Sequence, residues 1–471
     1  MRKLVLGGML ASCCVVTAAH AELKLTPSLI VREEYNDNID LTNDNRRDDF
    51  ITTILPSFNA MVDMERLKLS ADFGLYFRLF AKHSDENETS QRAYLDTTYN
   101  PIRDILFLKV SDAYSRVAID ERRQVGAGND LVNTTDSNIL TVNPYLVYPI
   151  TSSISVTAGY TYKNTWYDDP EGEDAQDHTL TGRLTKSFGE RLSIYGEYAY
   201  RNHRPKKTIR NSNEFNSLYL GSINGKPQFW NLELVSTQST GWYEYDTHTG
   251  TIGTVLQVTP KLTLNGSIGK TYYKYKTGTQ TDLRHVYHPI TLIYLGDYTS
   301  SQKVSPDDND SLIWNAQANY LLSDRLSLNA VYSQDFYDSV DEGPVQRETV
   351  GGSIKYKHNI EATLGGFYTT SRYETEERKD DSTGATLATR IPLGASLSGN
   401  LTGNYTHYKF SPDEVVTVTE KVNRYSVQAG FDYTLRLLTL GLGYIWNYND
   451  SNVNENDSRN NIIWLQAKLT Y

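Results

Sequence analysis

From Leu67 to Arg78 the chain sets Leu67, Leu69, Ala71, Phe73, Leu75 and Phe77 against Lys68, Ser70, Asp72, Gly74, Tyr76 and Arg78. Successive side chains of a strand point to opposite faces, so this is a strand with one apolar and one polar side. The same period recurs from Ile154 to Lys163 and from Ser426 to Arg436. It closes the chain, where Ile463, Leu465, Ala467, Leu469 and Tyr471 alternate with Gln466, Lys468 and Thr470. Strands of soluble sandwiches usually run about five or six residues. These run about ten to fifteen, enough to cross a bilayer at the usual tilt.

The links between such segments alternate in length. Short ones lie at Asp63 to Glu65, Pro101 to Asp104, Gly189 to Arg191, Pro260-Lys261, Ser323 to Arg325, His358-Asn359 and Gly394 to Ser396. Long polar ones lie at Asn36 to Asp49, Asp120 to Ser137, Asp168 to Asp177, Gly278 to Asp310, Glu376 to Gly384 and Asn449 to Asn460. Segments leaving short links climb from Leu to aromatic residues, as in Leu438, Leu440, Leu442, Tyr444, Trp446 and Tyr448. With 35 Tyr and 6 Trp in the chain, that course matches a barrel wall rising from periplasmic rim to aromatic girdle. The expected fold is all-β: a single closed antiparallel transmembrane β-barrel of about 22 strands, range 18 to 24, with short periplasmic turns and long extracellular loops. The least regular stretch is Asn213 to Val258. Leu69, Phe73, Val156, Phe431, Leu440 and Leu465 are expected to face lipid. A barrel of this size has a wide lumen that something must plug, narrow or traverse.

Met1 to Ala21 reads as a secretory signal, with Arg2 and Lys3, an apolar stretch from Leu4 to Val16 and a small-residue site at Ala19-His20-Ala21. The expected division is 1–21 leader and 22–471 barrel. Cys13 and Cys14 would leave with the leader, removing disulfides and cysteine metal sites. Leu10-Ala11-Ser12-Cys13 also resembles a lipobox, which would retain Cys13 as a lipid anchor. The net charge of −11 argues against nucleic acid as a partner. Beyond the leader no apolar run approaches the roughly 18 residues of a spanning helix.

Parity assigns Lys68, Asp72, Arg78, Lys109, Lys163, Arg183, Glu197, Arg201, Asp432, Arg436 and Lys468 to the lumen. Charges on a pore wall select the ions and polar solutes that pass. The competing role is a ladder of ion pairs that only holds the wall. The Gly278 to Asp310 link, with Arg284 to Tyr294 inside it, is too apolar for a solvated loop. It fits an external hairpin somewhat better than a segment folded into the lumen. His285 and His288 lack a carboxylate at metal-site spacing. Asn36 to Asp49 lacks the Gly and Glu of an EF-hand loop and reads as solvated surface. No phosphate loop, nucleophile motif or zinc spacing occurs, so neither enzyme nor cofactor is expected.

Glu34-Tyr35-Asn36-Asp37-Asn38-Ile39, Asp49-Phe50-Ile51, Pro56 and Tyr114-Ser115-Arg116 resemble the β-barrel porin 2 family and its relatives found with PEP-CTERM and exopolysaccharide systems. The resemblance covers the chain beyond the leader. It implies a porin-like outer-membrane channel for passive passage of polar solute or secreted polysaccharide. A structural barrel sheathing a partner such as an electron carrier, or an adhesion scaffold, is the alternative. The expected partners are outer-membrane lipid and lipopolysaccharide, the barrel assembly machinery and, through the resemblance, polysaccharide-export components. Tyr471 resembles the terminal aromatic read by that machinery. Its deletion is expected to lower outer-membrane levels and leave precursor in the periplasm; unchanged surface levels by immunoblot of membrane fractions would remove the signal role.

Overall fold

The period-2 segments form strands, and their backbone groups find partners only by closing on themselves. The computed structural model describes residues 22–119, 132–169, 172–206, 210–223, 226–240, 244–287, 294–304, 309–338, 344–373, 378–412, 418–453 and 456–471. The expected leader, including Cys13 and Cys14, lies outside the described residues, as does His288.

The first nine strands are β1 (Glu22–Asn36), β2 (Asp49–Asp63), β3 (Leu67–Phe80), β4 (Glu88–Ile102), β5 (Leu106–Ala118), β6 (Thr134–Thr151), β7 (Ile154–Tyr167), β8 (Ala175–Phe188) and β9 (Leu192–Pro205). Next come β10 (Arg210–Ile223), β11 (Lys226–Thr240), β12 (Tyr245–Thr259), β13 (Leu262–Tyr275), β14 (Gly278–Tyr287), β15 (Tyr294–Val304) and β16 (Asn309–Ser323). The last eight are β17 (Leu326–Asp338), β18 (Pro344–Lys357), β19 (Glu361–Tyr373), β20 (Arg378–Pro392), β21 (Leu397–Phe410), β22 (Glu420–Leu435), β23 (Leu438–Ser451) and β24 (Ser458–Thr470). Twenty of them make one antiparallel sheet, closed where β1 pairs β24 from Ser28↔Thr470 to Asn36↔Ile462. The seam continues past both ends through Tyr471 N–H to Pro27 O (3.0 Å) and Asp37 N–H to Asn461 O (3.1 Å).

The wall therefore has 20 strands, within the expected range of 18 to 24 and two fewer than its central value of about 22. The remaining four form a separate sheet in the order β10-β11-β14-β15. Two consecutive long connections, after β9 and after β13, are hairpins that pair with each other through β11 and β14. That is the origin of the irregular reading around Asn213, and within Gly278 to Asp310 it gives the β14–β15 hairpin that the sequence favoured over a segment folded into the lumen. Glu376 to Gly384 is likewise not a long loop: from Arg378 onward it is β20. Its polar residues on both faces hid the strand.

Register carries one face around the whole ring. Leu29 and Val31 share a side with Ile54, Phe58, Leu69, Phe73, Val156, Ile252, Leu364, Phe431, Leu440 and Leu465. Leu25, Leu29, Ile252, Leu364, Phe431 and Leu465 are all exposed. An exposed apolar belt around a closed, even-numbered antiparallel wall is stable only in hydrocarbon. This is a barrel of the bacterial outer membrane, with its tight turns toward the periplasm and its long connections outside.

Replacing Phe431 or Leu440 with Arg is expected to cost about 2 to 4 kcal/mol near the bilayer midplane. Urea unfolding in lipid, read by heat-modifiable gel migration, checks it. A neutral result would invert the assignment of faces.

Candidate functional site: the lumen and its extracellular collar

Inner-face positions change character along each strand. In the periplasmic half most are polar and open to water, Gln257, Lys355, Thr386, Arg390 and Thr434 among them, with Met61, Val255 and Leu321 as exposed apolar positions. Toward the extracellular end the same face is buried. Asn36, Asp49, Phe80, Asp177, His203, Tyr245, Val345, Asp380, Val422 and Asn460 belong to this collar. Inner-face side chains that water does not reach need atoms opposite them, so the lumen is filled at this level.

Three infolded segments do the filling. The connection after β1 turns inward and packs Ile39 on Ile51 of β2 and Phe80 of β3. It is shaped by short side chains bonding backbone: Asn36 Oδ1 accepts from Asn38 N–H (2.9 Å), and Asn38 Oδ1 accepts from Thr42 N–H (3.1 Å). Asn38 Nδ2 donates to Arg459 O on β24 at 3.0 Å. Asp49 receives N–H bonds from Ala81, Lys82 and His83 at 2.9 to 3.0 Å, fixing the end of β3 below the connection. At its outer edge Arg47 pairs with Asp40 (2.6 Å) and Glu86 (2.9 Å), and Lys82 with Asp48. Lys82 holds the Asp48 carboxyl below its ordinary value.

The second segment is the top of the β5–β6 hairpin. The β4–β5 ladder ends at Ala93↔Tyr114, leaving the last residues of β5 free of β4. Arg116 lies on the outer face by its pairing with Asp136, yet it donates to Glu88, an inner-face residue paired with Arg78. This hairpin therefore leans over the inside of β4. Ala118 at its end borders the same cavity, about 440 Å³, as Arg347, Tyr373, Phe410 and Arg424 of the opposite wall. The β17–β18 top does the same. The β16–β17 ladder stops at Asn315↔Ser333, Gln346 donates to Ser311 Oγ (2.8 Å), and Phe336 packs on Tyr273 (4.7 Å between ring centroids).

Between these segments the collar is held by polar ladders. Asn447 Nδ2 donates to Asn460 Oδ1 (3.1 Å), and Asn460 Nδ2 to Asn36 Oδ1 (2.5 Å), crossing β23, β24 and β1. Arg201 and His203 both meet Asp177, at 2.7 and 2.8 Å, with His203 stacked on Tyr245. Arg378 lies 3.7 Å above the Tyr373 ring and pairs with Asp380 at 2.9 Å.

Register places Lys68, Asp72, Arg78, Lys109, Lys163, Arg183, Glu197, Arg201, Asp432 and Lys468 on the inner face. They fall into two groups. Asp72 meets Arg92 (3.3 Å), Lys109 meets Asp96 (3.6 Å) and Arg183 meets Glu197 (2.6 Å), while Arg78 and Arg201 belong to the collar. Arg183 also sits 4.3 Å above the Tyr195 ring, and Asp432 accepts from Asn400 Nδ2 at 3.2 Å. Lys68, Lys163 and Lys468 make no ion pair among the described residues. Arg436 departs from expectation: it lies beyond the end of β22, in the tight turn before β23, with φ 48°. The alternation had been carried one residue past the end of the strand.

His285 bonds Asp297 at 2.5 Å in the β14–β15 hairpin. Among the described residues no group of three metal-ligating side chains occurs. The Asn- and Asp-rich stretch after β1, read from sequence as solvated surface, is instead lumen filling. The quoted family-like motifs converge there: Asn36, Asn38, Ile39, Asp49 and Ile51 build the first infolded segment, and Tyr114 and Arg116 bind Asp136 of the second. Polar residues at inner parity near strand ends were the available signal.

No protein-family model matches the sequence, and no curated protein matches it. Among solved structures, the chain is similar to the ferric citrate transporter FecA in its unliganded form, with 11% identity over 95% of this chain and 79% of that one, TM-score 0.46. The open form of the ferric-catecholate import receptor Fiu of E. coli K12 gives 11% identity over 94% and 81%, TM-score 0.44. OpdK of Pseudomonas aeruginosa with vanillate gives 10% over 95% and 99%, TM-score 0.36. Likenesses this low do not bear on cargo or mechanism.

Asp49→Ala removes the acceptor of three N–H groups from a buried site. It is expected to cost about 1 to 3 kcal/mol and to raise protease cleavage within residues 37–48 in the folded barrel. Unchanged cleavage would show that the connection is held without Asp49.

Proposed function

We propose that the chain is an outer-membrane channel for polar solutes, closed at its extracellular end by its own infolded connections and opened by their displacement. The single observation that supports this reading is the division of the inner wall. A water-exposed polar half opens toward the periplasm, and a collar of buried polar groups closes the other half. A wide vestibule ending in a polar, hydrogen-bonded closure suits passage outward of a hydrated chain or solute. Secreted polysaccharide, which the family resemblance implies, is the cargo class we favour, and no catalytic role is assigned. A sheath around a partner protein is less well supported, because the collar occupies the space that a threaded partner would need.

Lys68, Lys163 and Lys468 are the proposed selectivity charges, since they are the cationic inner-face candidates without an ion-pair partner among the described residues. Asp72, Lys109, Arg183 and Glu197 are assigned to holding the wall.

Planar-bilayer recording tests the proposal. The wild-type protein is expected to be mostly closed, with rare openings, and removal of residues 38–47 is expected to give sustained conductance. Reversing Lys68, Lys163 and Lys468 to Glu in that background should shift the reversal potential toward cation preference. Reversing Arg183 and Glu197 together should leave it unchanged. Silence of the deletion variant, with a folded barrel shown by heat-modifiable migration, would end the channel reading.

A further inference from the structure

We infer that the outer face of β19 to β24 carries a binding site for a phosphorylated, multiply acylated glycolipid of the outer leaflet. The inference is independent of the channel reading. Five cations stand on this face near its extracellular end: Arg372, Lys379, Lys409, Lys421 and Arg459, all exposed, and all flanked along their strands by buried inner-face residues. Register sets Arg372 directly opposite Lys379 and Lys409 directly opposite Lys421. Like charges in paired positions destabilise a sheet unless an anion lies between them. Among the described residues, Arg372, Lys409, Lys421 and Arg459 have no carboxylate within ion-pair distance.

Among the described residues, the carboxylates on the same face beside these cations already have partners. Asp381 accepts from Tyr368 Oη (3.0 Å) and Thr370 Oγ1 (2.8 Å) and lies 3.7 Å from Lys379. Asp450 accepts from Asn423 Nδ2 at 3.3 Å, and Asp457 from Ser451 N–H at 2.6 Å. Among the described residues the face thus carries five cations against three carboxylates at the level where outer-leaflet headgroups lie.

The second observation is a groove directly below. Val427, Tyr444, Trp446, Tyr448 and Arg459 line a cavity of about 620 Å³ on the lipid-facing surface. Arg459 heads an apolar and aromatic trough, an arrangement that takes an acyl chain with its anionic headgroup above. Arg459 shares a cross-strand row with Tyr448 and Tyr425, and Lys421 lies four residues beyond Tyr425 on the same strand. At the strand rise of about 3.3 Å per residue, the Lys409–Lys421 pair stands roughly 13 Å from that row. One phosphate would meet Arg459, and a second would bridge Lys409 and Lys421. An anionic lipid held by clustered Lys and Arg beside acyl-contacting aromatics is favoured by charge and apolar contact together.

The test is native mass spectrometry of the refolded full barrel titrated with bis-phosphorylated lipid A, its dephosphorylated form, phosphatidylglycerol and inorganic phosphate. One lipid A is expected to be retained. The Lys409→Gln, Lys421→Gln, Arg459→Gln variant should bind it at least about tenfold more weakly, while the lumen variant Lys355→Gln, Arg390→Gln should bind as wild type. Heat-modifiable migration confirms that each variant is folded. Equal retention by the triple variant, or by dephosphorylated lipid, overturns the site. Phosphatidylglycerol bound as tightly reduces it to general anionic-membrane contact and overturns the glycolipid assignment. Full displacement by millimolar phosphate shows a simple anion site and also overturns it.

Discussion

A peptide group left without a partner in hydrocarbon costs several kcal/mol, and the seam between β1 and β24 answers that constraint for the whole molecule. Nine register pairs join the first strand to the last, extended by Tyr471 N–H to Pro27 O and by Asp37 N–H to Asn461 O. Asp37 adds carboxylate contacts to the Asn461 backbone and side-chain nitrogens, both at 2.6 Å. Closure fixes which side of each strand meets lipid. It sets the apolar alternates of the membrane belt outward and leaves the polar alternates at that level to the lumen.

The same constraint limits where the wall can be interrupted. The β4–β5 and β16–β17 ladders both stop short at their extracellular ends, where water and side chains can satisfy freed backbone groups. Those breaks release the β5–β6 and β17–β18 tops to bend inward. Contacts that parity alone forbids, Arg116 with Glu88 and Phe336 with Tyr273, are the mark of that bending. Closing the lumen thus needs no separate plug domain among the described residues, only a loss of pairing where loss is inexpensive.

What the sequence made legible follows from which interactions are local. Alternation at Leu69, Phe73, Phe431 and Leu465 reports a neighbour-to-neighbour geometry, so fold and lipid face were readable. The strand count was less so, because the stretch holding β10 and β11 alternates poorly, and these strands with β14 and β15 pair with one another instead of with the wall. Arg378 to Gly384 escaped for the opposite reason: Arg378 and Asp380 are buried inside while Lys379 and Asp381 face out, so charge gives no period. The collar was hidden because it bonds Asn36 to Asn460 and sets Ala118 and Arg347 on one cavity, residues far apart in sequence. Only the cluster of Asn and Asp near Asn36 hinted at it, and the same composition describes a solvated loop.

The chemistry of the collar also bears on whether it can open. An apolar plug would resist hydration by about 25 cal/mol for each Å² exposed. Most of this closure is instead polar: the Asn36–Asn460–Asn447 ladder, Asp177 with Arg201 and His203, and Arg378 with Asp380. Groups of this kind exchange protein partners for water at a net cost of roughly 0.5 to 1.5 kcal/mol per hydrogen bond, and the ion pairs at the rim, Arg47 with Asp40 and Lys82 with Asp48, are more exposed still. Apolar contacts occur as well: Ile39 on Ile51 and Phe80, and Phe336 on the Tyr245–Tyr273–Tyr275 cluster, sit where the first and third infolded segments meet the wall, and Ile445, Ile462 and Trp464 cluster on the wall itself. The first two anchor those segments. Polar contacts of this kind can exchange partners for water while the apolar contacts keep the first and third segments on the wall, which is what the proposed gate requires.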